Sequence, residues 1–300
     1  MHLTGTIVGL TLFIISIVTH YIGRFAPSPT GVMHAGSLAA ALASFVDARA
    51  HDGRWLIRIE DVDTTRCKAE YARSILETLD RLHMTSDGPV IAQTDRLDRY
   101  REVFVALLKK GFVYGCSCSR LSIQKTIQEH HLAPHRYPGT CREGTTEPIR
   151  AWRFKTQDRS IAFDDRWSGH YEQNVYQEVG DFVIKRADGL FAYQLAVIVD
   201  DHDSGINHIV RGADLIDNTP RQIAIHEALG WQCPSYMHIP LVLNDRGDKL
   251  SKQAGARALS DDLLAELESA WQHLGFAPLG ADTMDAFYTR AVALWKERFQ

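Results

Sequence analysis

The stretch Arg24-Phe25-Ala26-Pro27-Ser28-Pro29-Thr30-Gly31, closed by His34-Ala35-Gly36-Ser37, decides how the rest of the chain is read. Its first residues complete a short strand-like run, 21–25. Beyond it, Leu38, Leu42, Phe45 and Val46 recur at helical spacing. The expected unit is a strand, a loop stiffened by prolines, and the N-terminus of a helix spanning about 36–49. Helix N-termini carry unpaired N–H groups and the positive end of the helix dipole, so they attract phosphate. His34 stands at the mouth, where it can contact triphosphate oxygens, and Gly36 lets a flat base approach the backbone. A lone histidine on such a loop would read as solvated; the full string gives it a task.

Outward from this unit, residues 54–60 alternate, with Trp55, Ile57 and Ile59 on one face and Leu56, Arg58 and Glu60 on the other. Helices are expected over about 69–82 and 97–110, the second ending at Gly111. This order predicts an α/β fold, a Rossmann-type parallel sheet with right-handed crossovers. Residues 21–111 are expected to form the first half of that domain. The pattern breaks over 112–177, which is rich in Cys, His and Pro and reads as an insertion subdomain. Residues 178–256 form the second half. Alternation resumes over 182–201, a strand is expected near 207–210, a helix near 220–229 and a strand over 238–244. Residues 257–300 form a helical C-terminal region.

Composition sets limits. The net charge of −4 means that an RNA partner must meet a local basic patch. Five cysteines are a poor disulfide framework and suit a reducing, cytoplasmic setting. The run 6–18, TIVGLTLFIISIV, has no Lys or Arg before Arg24 and is shorter than the roughly 20 apolar residues of a membrane span. It also lacks the charged start and cleavage site of a signal peptide. Residues 1–20 are expected to lie outside the fold, as the product of a start codon set too far upstream. A membrane-associated extension and an extra packed element are the alternatives.

Other groupings point to chemistry. Glu60 closes a strand at its carboxyl end, where open α/β sheets bind ligands, and a carboxylate there suits an α-ammonium. Asp61 and Asp63 read as structural. Asp200, Asp201 and His202 fit a structural turn equally well. Lys249 and Lys252, spaced by three in a loop, can neutralise a triphosphate, although such a pair alone reads as solvated. Cys116, Cys118 and Cys141 suit a zinc site that needs a fourth ligand. His130, His131 and His135 lie nearby in the sequence.

Together these motifs resemble the class I aminoacyl-tRNA synthetases, in the form used by glutamyl-tRNA synthetases. Arg24–Gly31 with His34–Ser37 resembles the HIGH signature, with Ser37 where a second His is usual. Arg58-Ile59-Glu60-Asp61-Val62-Asp63 resembles RIEDTD, and Lys249-Leu250-Ser251-Lys252-Gln253 resembles KMSKS, departing at Gln253. Residues 188–215 resemble the family's DGxPxYN…RGxD stretch, with Gln194 in place of Asn. The resemblance covers about 21–256. It implies that glutamate is held by Arg24, Phe25, Ala26, Pro27, Ser28, Glu60, Tyr193 and Arg211. It implies that ATP, arriving with Mg²⁺, is held by His34, Gly36, Lys249 and Lys252. The Tyr137-Pro138-Gly139-Thr140-Cys141 segment implies that Tyr137 is the fourth ligand of one structural zinc.

About 48 residues follow Lys252, too few for a separate anticodon reader as well as the end of the catalytic unit. This short tail, with KLSKQ and the cysteine insertion, resembles the family of ligases that attach glutamate to the queuosine base in the anticodon of tRNA(Asp). The resemblance implies no membrane or protein partner. A minimal enzyme charging a tRNA 3′ end, and an inactive relative that binds a nucleotide or RNA, are the rival readings.

Overall fold

The computed structural model describes residues 20–242 and 257–300. The apolar run 6–18 and the motif carrying Lys249 and Lys252 lie outside the described residues.

The strand, loop and helix expected at the start are present as β1 (Ile22–Phe25) and α1 (Ala35–Ala50). β2 (Arg54–Ile59), α2 (Ala69–Arg81) and β3 (Ile91–Ala92) follow, with β1, β2 and β3 pairing in parallel. In the second half, β9 (His208–Gly212) pairs in parallel with β10 (Ser235–Ile239), and β10 with β6 (Ile161–Asp165). The two halves meet at β1 and β9, where the Asn207 N–H donates to the Ile22 carbonyl at 3.1 Å and the Asn207 side chain accepts from the Ile22 N–H at 2.8 Å. From this junction the chain order runs outward in opposite directions, to β2 and β3 on one side and to β10 and β6 on the other. That is a topological switch point, and ligands of such sheets bind beyond the strand carboxyl ends there.

Each sheet face carries its own core. On one face α1, α8 (Leu263–His273) and α9 (Met284–Phe299) bury Leu38, Leu42, Trp271, Phe287 and Trp295. On the other, α3 (Leu97–Lys109), α6 (Tyr193–Asp203) and α7 (Thr219–Leu229) bury Tyr100, Leu107, Leu195, Val199 and Ile225. Fully burying one such side chain contributes about 1.5–3 kcal/mol. Asp47, inside α1, is wholly buried and fully used. It accepts from Tyr21 at 2.5 Å, from the Trp295 indole at 2.9 Å and from Arg166 at 2.7 and 2.8 Å.

A second, antiparallel sheet joins β4 (Val113–Cys116), β5 (Ala151–Phe154) and β8 (Phe182–Lys185). Residues 112–177 feed both sheets, because β6 and β7 (Gly169–Gln173) form a hairpin on the main one. The short helices α4 (Arg120–Glu129) and α5 (Val175–Glu178) complete this stretch.

The structure corrects some local expectations. Residues 193–203 form a helix, so the Asp200-Asp201-His202 run is the last turn of α6 and not a separate turn. Leu195–Val199 is apolar throughout and is buried on all sides, so its periodicity could not distinguish helix from strand. β10 ends at Ile239, because Pro240 has no N–H to continue a ladder. In β2 both faces are buried, Arg58 at 2% exposure as much as Trp55 at 0%. No helix among the described residues is long and apolar enough to cross a membrane.

Candidate active site and thiol cluster

The carboxyl ends of β1, β2 and β9 open into a cavity of 470 Å³. Arg24, Glu60, Tyr193 and Arg211 line it, with Phe25, Ala26 and Ser28 on one wall. Its charges are arranged before any ligand arrives. Asp201 accepts from Arg24 Nε at 3.0 Å and from Arg58 Nη1 at 2.7 Å. Arg58 Nη2 reaches Glu60 at 3.0 Å. Behind them Asp200 accepts from Gln93 at 2.9 Å, Tyr100 at 2.6 Å and Arg96 at 2.7 Å.

Asp201 and Glu60 titrate in opposite directions. Burial raises Asp201, but Arg24 and Arg58 outweigh it and hold the group down at about 2. Burial also raises Glu60, and there it prevails, because Arg58 is shared with Asp201 and Asp200. Arg211 has no carboxylate partner among the described residues. Its Nη2 donates to Thr219 at 2.7 Å and its Nε to His238 Nε2 at 3.1 Å. Its Nη1 stands 3.5 Å from the Tyr193 hydroxyl, the outer limit of a hydrogen bond.

A second cavity of 370 Å³ shares the wall of Phe25, Ala26 and Ser28 with the first. His34, Gly36 and Ser37 line it, and Pro27 faces this side. His34 is the N-cap of α1. Its Nδ1 accepts from the Gly36 N–H at 3.1 Å and the Ser37 N–H at 3.4 Å, while Ser37 Oγ accepts from the His34 N–H at 2.8 Å. This reciprocal capping box fixes the imidazole, and in the neutral ring an accepting Nδ1 leaves the proton on Nε2. The residue at the position of a second histidine therefore has a local task of its own.

The predicted glutamate residues thus converge on two adjoining cavities, as do His34 and Gly36. Lys249 and Lys252 lie outside the described residues. Sequence reasoning missed Arg58, Asp201, Gln93 and the Thr219–His238 pair behind Arg211. No sequence signal singled out Arg58, because a charge alternating with Ile57 and Ile59 reads as the solvent side of a strand.

In the second sheet, the Sγ atoms of Cys116, Cys118 and Cys141 lie within 4.8 Å of one another. The Tyr137 hydroxyl is 3.3 Å from Cys116 Sγ and 3.6 Å from Cys118 Sγ, and Cys118 and Cys141 are 3.4 Å apart. A tetrahedral zinc with bonds of about 2.3 Å to sulfur needs ligand separations a little under 4 Å, so this donor set fits the ion. His130, His131 and His135 are exposed and outside the cluster. Burial raises the Cys141 thiol, but hydrogen bonds led by Ser117 bring it down to about 6. Arg153 Nε donates to Cys116 Sγ at 3.3 Å, and its guanidinium lies 3.6 Å over the Tyr137 ring. Gly180, at a φ of 73°, lets the Tyr137 loop lie close; a Cβ there would sit 2.3 Å from the Tyr137 carbonyl oxygen.

Comparison with known proteins places this geometry in context. The family model for the catalytic domain of class I tRNA synthetases (E and Q) matches residues 21–274. A Burkholderia cenocepacia protein named glutamyl-Q tRNA(Asp) synthetase is 50% identical over 289 residues, 93% of this chain and 97% of its own. One of the same name from Cupriavidus metallidurans is 49% identical, over 93% of this chain and 92% of its own. Among solved structures, a glutamate tRNA ligase from Elizabethkingia meningosepticum, in complex with its amino acid, superposes with a TM-score of 0.69 at 29% identity. The match covers 78% of this chain and 52% of that one, so the chain spans about half the length of that ligase.

Proposed function

This chain belongs to the class I tRNA synthetases of the glutamate and glutamine type, and within that family we propose that it activates glutamate with ATP and passes it to the queuosine base of tRNA(Asp). One observation carries the glutamate half. The cavity holds a buried carboxylate short of positive charge, Glu60, and a buried guanidinium, Arg211, with no carboxylate partner among the described residues. A zwitterion with a further carboxylate answers both. Glu60 takes the α-ammonium, and Arg211 and Arg24 take carboxylates with Tyr193 alongside. Removing either partner of such a desolvated pair typically costs about 2–5 kcal/mol.

ATP occupies the adjoining cavity, with His34 and the first turn of α1 toward its phosphates and Gly36 beneath its base. Lys249 and Lys252 complete the phosphate contacts, and Mg²⁺ arrives with the nucleotide. A glutamate carboxylate oxygen attacks the α-phosphorus and pyrophosphate leaves. A hydroxyl of the queuosine cyclopentene diol then attacks the acyl carbon of the mixed anhydride, and AMP leaves. The shared wall keeps the two reactants in register, and such positioning can account for a large part of the acceleration. Cys116, Cys118, Cys141 and Tyr137 hold a zinc that braces the second sheet. Five cysteines make a poor disulfide framework and suit a reducing cytoplasm.

The names of the relatives support the queuosine acceptor, and a tRNA 3′ end is the competing one. The test is two-stage. Glutamate-dependent ATP–pyrophosphate exchange should occur without RNA. Radiolabelled glutamate should then reach tRNA(Asp) carrying queuosine, including tRNA with a blocked 3′ end, but not tRNA(Asp) with guanosine at that position. Label on tRNA(Glu), or label lost on blocking the 3′ end, would overturn the acceptor.

A further inference from the structure

Behind Arg211 lies a buried chain of polar groups that the activation chemistry leaves unused. Asp165 closes β6 and is 4% exposed; His238, in β10, is 0% exposed. Asp165 Oδ2 stands 2.6 Å from His238 Nδ1, and the Asp165 carboxylate also accepts the His238 N–H at 3.0 Å. At the far side of the ring, Nε2 faces Arg211 Nε at 3.1 Å and Thr219 Oγ1 at 3.1 Å.

The protons of this chain have one consistent arrangement. An arginine only donates, so His238 Nε2 must carry the lone pair that receives Arg211 Nε–H. The ring proton then sits on Nδ1 and points at Asp165. We propose that Asp165 and His238 form a positioning pair for Arg211, in which Asp165 fixes the imidazole tautomer and the Nε2 lone pair holds the guanidinium without neutralising it. The assignment rests on reading Arg211 as a carboxylate-binding residue.

The charge logic separates this from ordinary packing. A carboxylate placed directly against Arg211 would hold it equally well, but would compete with the substrate carboxylate for the same fork. A neutral imidazole orients the fork and leaves its charge available. Tyr236 supports the arrangement from beneath, its ring 5.5 Å from the Arg211 guanidinium. The groups facing His238 are Asp165 from β6, Arg211 from β9 and Arg24 from β1. Burial and the two arginines push the imidazole below its usual value against the pull of Asp165, so the ring stays neutral.

Asp165→Asn tests the pair. The amide can keep the backbone contacts but can donate to His238 Nδ1, which moves the ring proton to Nε2, against Arg211. In ATP–pyrophosphate exchange the KM for glutamate should rise by about tenfold or more, as for loss of a hydrogen bond to a charged group, while the KM for ATP stays within about twofold. His238→Gln, whose amide oxygen can reach the Nε2 position, should lose less. A folded Asp165→Asn enzyme with wild-type KM for glutamate would overturn the pair. Nitrogen-15 NMR of the wild-type histidines reads the tautomer directly, whatever the activity and however the variants fold. His238 protonated at Nδ1 alone at neutral pH supports the pair, and a proton on Nε2 sinks it. A wild type without glutamate-dependent exchange would refute the glutamate reading, while the tautomer would still decide the Asp165–His238 assignment.

Discussion

The charged cleft and the thiol cluster are both small groups of buried polar side chains, but they are assembled over different sequence ranges. In the cleft Asp201 meets Arg24 across 177 positions and Arg58 across 143. In the cluster Cys116 meets Tyr137 across 21 positions, and Cys118 meets Cys141 across 23. The cleft exists only when the whole sheet and α6 are in place. The cluster is closed by one segment, with Arg153 added from β5 and Gly180 from the loop before β8. Damage to the cleft should therefore spread through the molecule, and damage to the cluster should stay regional.

The largest effect is expected from Asp201→Ala. It leaves Arg24 and Arg58 buried without their shared carboxylate, which typically costs about 3–5 kcal/mol. Denaturant unfolding should show this loss, and glutamate activation should disappear with it. A loss below about 1 kcal/mol would mean that the cleft is not coupled to the sheet.

Acid should weaken the same network more gently. Asp201 titrates at about 2 in the fold against an ordinary 3.8, so its contribution is fully present above about pH 4. It is lost as pH falls toward about 2, by about 2 kcal/mol in total. Glu60 acts in the opposite sense: its raised value means stability falls as pH rises from its ordinary 4.5. Stability–pH curves of Asp201→Asn and Glu60→Gln should depart from wild type with opposite slopes. Departures of the same sign would contradict the opposed titrations.

The smallest global effect is expected from metal removal. Elemental analysis should find one zinc per chain in the wild type, and chelation, or Cys141→Ser, should abolish it. Hydrogen exchange should then accelerate in β4, β5 and β8, with β1, β2 and β9 still protected. Equal loss of protection in both sheets would erase the distinction between the two regions.

The same contrast explains what the sequence made legible. The strand–loop–helix at Arg24–Ser37 and the thiols around Tyr137 are runs of neighbouring residues whose geometry follows from local chemistry. Their partners were not legible, because strand register and the orientation of α6 choose them. Nothing near Asp201 announces Arg58, and nothing near His238 announces Asp165; only the parallel pairing of β6 with β10 brings that pair together. Arg58 looked like the solvent side of an alternating strand because alternation cannot reveal that a second layer covers the other face.

The turn after β6 binds more than its position suggests. Asp165 reaches His238, Arg166 reaches Asp47 inside α1, and Trp167 packs at a tilt against Trp295 and Phe299 of α9. Residues 112–177 are therefore not an exchangeable cassette. A chimera that swaps this block between relatives would transplant the end of the wire behind Arg211 together with the thiols. Recombination that keeps 161–173 with its native sheet should give functional hybrids, whereas a cut that parts β6 from β10 or from α1 joins two lineages where buried partners must match.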